Sequence, residues 1–475
     1  MSKDLEKNHS ELIYDSDVSS AEAYLQNELL KEQDKDIKYR SMGWVKTAFL
    51  LLSEYICLAI MSFPWSYSVL GLIPGLIITV FVALTVLYTG RIIGDYCARY
   101  PHLTNVCDIG QHLFWNQKWA WWLTALCFII NNTLIQGLHS LVGAKYLNTV
   151  SNHGACSVAF AVVASIICFI FSLPRTFSHM SLVGIFSAVT MFLAVLLSLI
   201  FAGIQEHPDK YVETAPVVYR LWPEKGTSFV SGCAAMLNIV YTFVGQITYP
   251  SFISEMKNPK DFKKALNVVT TIEVIVFALA GSIIYVYVGD EYITAPAFGS
   301  LSGHYKIIAF SFAIPTIIFL GALYSNVSSQ FIYFQIFKPN SIHRNSHTAK
   351  GWITWVLLNA IFWILAFIIA EVIPFFSDLL SLMSSLFDCW FGFVFWGVAY
   401  IRIKQAKYKD QYQGFINFYR ILTLSEKFNL IINLGLIGCG IFIFGPGTYA
   451  SVDSIVLSYQ ADDYGKVFSC ASNGI

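Results

Sequence analysis

From about residue 44 onward the chain alternates long apolar runs with short polar connections. A helix needs roughly 20 mostly apolar residues to cross a bilayer. About eleven runs approach that length, with approximate limits 44–70, 74–98, 119–147, 156–173, 180–204, 228–254, 265–289, 306–335, 351–373, 376–402 and 429–450. The pattern predicts an all-α polytopic membrane protein in three regions. A polar cytoplasmic tail covers residues 1–43, a transmembrane domain 44–450 and an extracytoplasmic tail 451–475. The first tail lacks the apolar core of a cleavable signal peptide, so the first apolar run is expected to act as the signal.

Lysine and arginine in short loops set the orientation. With the amino end in the cytoplasm, the inner loops hold Arg99 and Lys118, then Arg175, then Lys257, Lys260, Lys263 and Lys264. Further inner loops hold Lys338, Arg344 and Lys350, then Arg402, Lys404, Lys407, Lys409, Arg420 and Lys427. The outer loops hold only Lys145, Lys210, Arg220, Lys225 and Lys306, and the last tail sets Lys466 against Asp453, Asp462 and Asp463. The bias favours an odd number of crossings, with the carboxy end outside.

Two runs resemble each other. The first contains Ala59-Ile60-Met61-Ser62-Phe63-Pro64 and the sixth Gly245-Gln246-Ile247-Thr248-Tyr249-Pro250. Each reads small residue, three residues ending in a hydroxyl side chain, aromatic, proline. The fourth run ends in Ser172-Leu173-Pro174 and the ninth in Val372-Ile373-Pro374. Runs 1–5 and 6–10 thus read as two copies of one unit. Five crossings is an odd number, so the copies lie in the membrane with opposite orientation, the inverted repeat of secondary transporters.

Proline removes a backbone N–H and crowds the carbonyl one turn earlier. A helix opened there is tolerated in a membrane only where it is buried in protein or lines a cavity. The opening offers N–H groups at the start of its second half and carbonyls at the end of its first. An amino acid zwitterion needs both, one for its carboxylate and one for its ammonium. The plain alternative is a pair of ordinary proline kinks.

Composition narrows the field. The chain is 56% hydrophobic and 13% charged, against about a quarter charged in a soluble protein. Net charge is zero, and no nucleic-acid motif or basic patch is present, so nucleic acid is not an expected partner. Cys57, Cys127, Cys168 and Cys439 lie inside apolar runs as small hydrophobes, and no metal-ligand spacing or cofactor motif occurs. On the expected outer side lie Cys156, Cys233 and Cys470; Cys233 sits within an apolar helix, which leaves Cys156 and Cys470 as a disulfide pair in an oxidising setting.

The stretch from Ser53-Glu54 to Pro64, with Gly71-Leu72-Ile73-Pro74-Gly75 after it, resembles the first two spans of the amino acid/auxin permease family. Tyr100-Pro101-His102, His153-Gly154-Ala155-Cys156 and Leu173-Pro174-Arg175-Thr176 are similar to the fungal neutral amino acid permeases of the methyltryptophan-resistance type. Glu255-Met256-Lys257-Asn258-Pro259 is similar to that family's inner-gate loop. The resemblance runs from about residue 40 to the carboxy end. It implies a five-plus-five inverted repeat with broken helices 1 and 6, an eleventh helix, and proton-coupled amino acid uptake. Ala59 departs from the glycine usual in the family, and alanine tolerates an open backbone less well.

The expected substrate site is Ala59, Ile60, Met61 and Ser62 facing Phe243, Gly245 and Gln246, with Asn132 and Ser325 in reach. A carboxylate in lipid is costly and faces the bundle interior; Glu54 and then Glu273 are the candidates for proton coupling, with Asp378 and Asp388 behind them. Asn131, Gln136 and His139 meet substrate or tie helices together. Arg91 and Asp95, spaced i, i+4 at the inner end of the second run, read as a structural pair or as snorkelling groups. Ser325, Ser328 and Ser329 occupy the sodium region of related folds, but without a nearby carboxylate they do not argue for sodium. The expected partners are a neutral amino acid, aliphatic or aromatic, a proton and the lipid bilayer, with import by proton symport and alternating access at the plasma membrane. The rival readings are an organellar exporter, a non-transporting amino acid sensor and a channel. An enzyme is disfavoured because neither HExxH nor Gly-x-Ser-x-Gly occurs.

Overall fold

The computed structural model describes residues 18–32, 40, 42–175, 180–338, 341–408, 411, 414–461 and 466–475. Most of the amino-terminal tail, Thr176, Lys409, Asp462 and Asp463 lie outside the described residues. Among the described residues, regular structure is helical apart from one parallel bridge between Met42 and Met256.

A short helix α1 (Val18–Glu32) precedes the membrane domain. The first apolar run is split into α2 (Trp44–Tyr55) and α3 (Phe63–Leu70), joined by a tight 3-10 turn over Leu58–Ser62 and bent by 43°. There follow α4 (Leu72–Arg99), the short α5 (Val106–Leu113), α6 (Lys118–Ser151), α7 (Ser157–Phe171) and α8 (Met180–Ile204). The sixth run is α9 (Phe229–Phe243) and α10 (Tyr249–Ser254). Then come α11 (Phe262–Val288), α12 (Gly303–Ile336) and α13 (Ala349–Val372). The tenth run is α14 (Phe376–Met383), a π-helical stretch over Ser384–Val394 and α15 (Phe395–Lys407). The last is α16 (Leu424–Phe442), a π turn over Ile443–Gly447 that holds Pro446, and α17 (Thr448–Gln460).

Every predicted run coincides with a helix or helix pair, though not every helix reaches spanning length on its own. Among the described residues, eight helices are long and apolar enough to cross a membrane, and the bent pair α2–α3 makes nine. α7 and α9 have 15 residues each, short of the roughly 20 that a crossing needs. Helix length alone therefore does not confirm the count of eleven. α9 is short because its run breaks at Val244 and resumes in α10; α7 stops at Phe171 ahead of Pro174, as α13 stops at Val372 ahead of Pro374. A residue before proline is pushed off the helical region, so both copies terminate alike. The last run extends to Gln460, beyond the expected limit at 450, because Ser454 and Ser458 each donate a hydrogen bond of 2.7 Å to Asp378.

The helices sort into two packed groups. α6, α7, α12 and α13 contact one another, α3, α4, α9, α11, α14 and α17 make a second set, and α8 lies between them against α12 and α11. Ile77, Phe81 and Leu84 on α4 are exposed, as are Ile353, Leu357, Ile361 and Ile364 on α13. Such apolar stripes are costly in water and suit contact with lipid tails. The expected Arg91–Asp95 pair does not form. Arg91 instead donates to Asn267 Oδ1 at 2.9 Å and Asp95 takes Lys263 at 2.6 Å, because α11 presents complementary partners across the contact.

Candidate functional site

The two broken runs show how their shared pattern works. Pro64 and Pro250 each sit in the first turn of the second half-helix, where a missing N–H removes no intrahelical bond. The residue ahead of each aromatic-proline pair makes the same local bond in both copies. Ser62 Oγ donates to Ala59 O at 2.7 Å, and Thr248 Oγ1 donates to Gly245 O at 2.8 Å. The hydroxyl in the pattern thus occupies the carbonyl of the small residue three positions earlier.

The breaks are not identical. In the sixth run the backbone leaves the helix at Val244 and turns over 245–248. In the first run it opens earlier, at Ile56 and the extended Cys57, and Ala59–Ser62 then wind into the 3-10 turn. The sequence places the opening at Ala59–Ser62; alanine there favours a wound turn over an open backbone. Gly245 stays open for a second reason: a Cβ at that position would lie 2.3 Å from Tyr55 Oη. Tyr55 Oη is itself hydrogen-bonded to Tyr249 Oη at 2.6 Å. The last residue of α2 is therefore pressed against the start of the other break.

Glu54 knits three segments together. Its Oε2 accepts from Thr248 Oγ1 at 3.0 Å and its Oε1 from Tyr324 Oη at 2.9 Å. Both hydroxyls satisfy a carboxyl that α2 carries into the bundle, and buried charge or polarity requires such partners. Beside them lies a cavity of about 60 Å³, lined by Glu54, Gly245, Tyr241, Asn131 and Asp388 among others. A water needs roughly 10–15 Å³ measured this way, so the space accommodates a few water-sized groups.

Of the substrate residues expected from sequence, only Gly245 lines this cavity, with Glu54 from the proton-coupling pair. Ile60, Met61 and Ser62 are fully buried in the turn and Ala59 nearly so. Phe243 packs its ring 4.9 Å from that of Phe277 and 6.1 Å from that of Phe63, an aromatic floor behind the breaks. Gln246 donates to Thr89 Oγ1 at 3.1 Å, and Ser325 donates to Asn359 Oδ1 at 2.8 Å, tying α12 to α13. Asn132 is buried with neither amide atom partnered among the described residues. Glu273 is buried on α11 with Oε1 unpartnered, away from the cavity lining. His139 Nδ1 pairs with Ile135 O at 2.7 Å.

Tyr55, Tyr241 and Tyr324 were not singled out from sequence. Tyrosines are common in this chain, and no spacing marks these three; only Thr248 carried a signal, as the hydroxyl of the repeated pattern. Cys156 and Cys470 are joined by a disulfide, with their Cα atoms 4.5 Å apart. Around it the tail is docked: Lys145 Nζ donates to Asn473 O at 3.3 Å, and Ile475 N donates to Thr149 Oγ1 at 3.1 Å.

Comparison with known proteins adds relatives. The model of a family described as "Transmembrane amino acid transporter protein" matches residues 40–431. The chain is 30% identical over 442 residues to the "N amino acid transport system protein" of Neurospora crassa, covering 92% of this chain and 90% of that protein. It is 27% identical to a "Transmembrane transporter" of Gibberella moniliformis, covering 96% and 93% of the two chains. A third relative, a "Transmembrane transporter" of Fusarium pseudograminearum, is 26% identical, with 94% and 90% covered.

Proposed function

Because the chain belongs to the transmembrane amino acid transporter family, we propose that it imports neutral amino acids by proton symport with alternating access, across the plasma membrane with its amino end inside. The observation that carries this reading is Glu54, a half-buried carboxyl on the first broken run that is hydrogen-bonded to the second. The zwitterion is placed at the breaks around Cys57 and Val244–Gly245, as inferred for Ala59, Gly245 and Gln246 from the pattern, where it would take over local bonds such as Cys57 N–H to Tyr55 O and Thr248 to Gly245 O. Asn132 adds amide groups deeper in α6.

Thr248 gives proton uptake a mechanical consequence. Its hydroxyl has one proton and two acceptors, Glu54 Oε2 at 3.0 Å and Gly245 O at 2.8 Å. With Glu54 ionised, the carboxylate is the stronger acceptor and draws the Thr248 proton. With Glu54 protonated, its own O–H donates to Thr248 Oγ1, and the threonine proton turns to Gly245 O. Protonation then changes which group holds the carbonyl at the break. Glu273 stands as a second proton-coupling residue on α11. The disulfide supports an oxidising compartment for the face that carries Cys156 and Cys470.

The test is uptake of labelled amino acids into membrane vesicles under an imposed pH gradient. Neutral amino acids should accumulate only with the gradient acid outside. Accumulation that ignores the gradient would remove proton symport, and absence of uptake for every amino acid would remove transport.

A further inference from the structure

Two acids reach the cavity, and they are not equivalent. Both oxygens of Glu54 already accept hydroxyl protons. Asp388 is 6% exposed and Asn131 5%, yet Asp388 Oδ2 and Asn131 Oδ1 have no partner among the described residues. Both residues line the cavity, and its lining contains no lysine, arginine or histidine.

The backbone aims Asp388 at this place. It lies in the π-helical stretch Ser384–Val394. π turns are rare and concentrate at functional sites, because the widened turn re-aims a side chain. One turn further on, Gly392 lets the stretch press on the break of the sixth run: a Cβ there would lie 2.9 Å from Val244 Cγ1.

Resting on the transport reading above, but widening its neutral substrate class, we propose that Asp388 with Asn131 forms a subsite for a substrate side chain bearing N–H donors. The chemistry follows from what the pair lacks. Ser384, one turn earlier, offers Asp388 a hydroxyl, but no counter-ion is at hand and Oδ2 stays unpaired, which is unfavourable for a buried acid; Glu54 is taken up by Thr248 and Tyr324. A carboxamide or a cationic side chain supplies what the lining does not. An aliphatic side chain leaves Asp388 Oδ2 unpaired, so the site discriminates by penalising the substrate that brings no donor. The zwitterion remains with the broken backbones, and Asp388 reads what lies beyond it.

The experiment measures kcat/KM for leucine, glutamine and lysine in vesicles carrying the wild-type chain, Asp388→Leu or Asp388→Asn. In Asp388→Leu the glutamine-to-leucine and lysine-to-leucine ratios should each fall by roughly tenfold or more, the size of a lost charged hydrogen bond. Asp388→Asn separates the two sources: a carboxamide donor still finds an acceptor, whereas a cation loses its countercharge, so the lysine ratio should fall more than the glutamine ratio. Ratios unchanged in Asp388→Leu overturn the subsite, whatever happens to absolute rates. Equal loss for all three substrates in both variants also overturns it, because Asp388 would then serve the shared zwitterion or the fold. A wild-type chain that transports none of the three defeats the transport reading itself.

Discussion

Gly245→Ala tests whether the contact between the two broken runs matters to function. The new Cβ would lie 2.3 Å from Tyr55 Oη and 2.6 Å from its Cζ. Carbon contacts settle near 3.5–4.0 Å, so Tyr55 must retreat by about 1 Å or more. Its one outlet is the small cavity it helps to line, and moving there breaks the 2.6 Å hydrogen bond that holds its hydroxyl to Tyr249. Overpacking a core costs about 1–3 kcal/mol, and the lost hydrogen bond about 0.5–1.5 kcal/mol. The conformation with the breaks abutting is thus weakened by roughly 1.5–4.5 kcal/mol, about tenfold to a thousandfold in population. Initial-rate uptake should drop at least tenfold at normal surface expression, and the thermal unfolding midpoint of purified protein should fall. Tyr55→Ala empties the space, so the double variant Gly245→Ala, Tyr55→Ala should show a coupling of about 1 kcal/mol or more relative to the single changes. Wild-type uptake in Gly245→Ala, or strictly additive effects in the double variant, would refute the role of this contact.

Glu54→Gln should abolish the dependence of uptake on an imposed pH gradient while preserving exchange of internal for external substrate, and Thr248→Val should shift the same way; a gradient response intact in well-expressed Glu54→Gln would exclude the carboxyl as the coupling group. His112 on α5, outside the spans, is pushed down to about 4 by burial first, then by His102 and Arg402 beside it. The unfolded chain takes up this proton near 6.5 while the folded one resists, so stability should fall as pH drops from about 6.5 towards about 4, and hydrogen exchange over residues 106–113 should show that slope in the wild type and lose it in His112→Asn. Peptide mapping without reductant should recover Cys156 and Cys470 as one cross-linked peptide; an alkylatable Cys470 in protein taken from the membrane would contradict the bond.

Helix positions were legible because lipid imposes a length and an apolar character that single residues cannot hide. The breaks were legible because proline and a small residue mark them in the chain. The place where the first run opens was not, since it lies at Ile56–Cys57 and depends on how Ala59–Ser62 wind ahead of Pro64. Side-chain partners were the least legible. Arg91 and Asp95 are well spaced for each other, yet α11 offers each a better partner. Ser325 lies on a run that meets the site, yet Asn359 holds its hydroxyl. Tyr324, one residue earlier, reaches Glu54 instead. On a helix one residue turns a side chain by about 100°, and the sequence alone does not say which neighbour waits on that side.

The disulfide between Cys156 and Cys470 spans 314 residues of sequence, and this makes it a parity check on insertion. Two cysteines can bond only from the same side of the bilayer, so the chain between them must cross an even number of times. Among the described residues, six helices of spanning length lie in that interval: those ending at Ile204, Val288, Ile336, Val372, Lys407 and Gln460. The two 15-residue helices, α7 and α9, lie there too. If just one of them crossed, the total would be seven and the thiols would face opposite compartments. The bond therefore requires that both cross or that neither does. It links the fate of the short fourth segment to that of the broken sixth, and a molecule that skips a single crossing betrays itself by a free thiol.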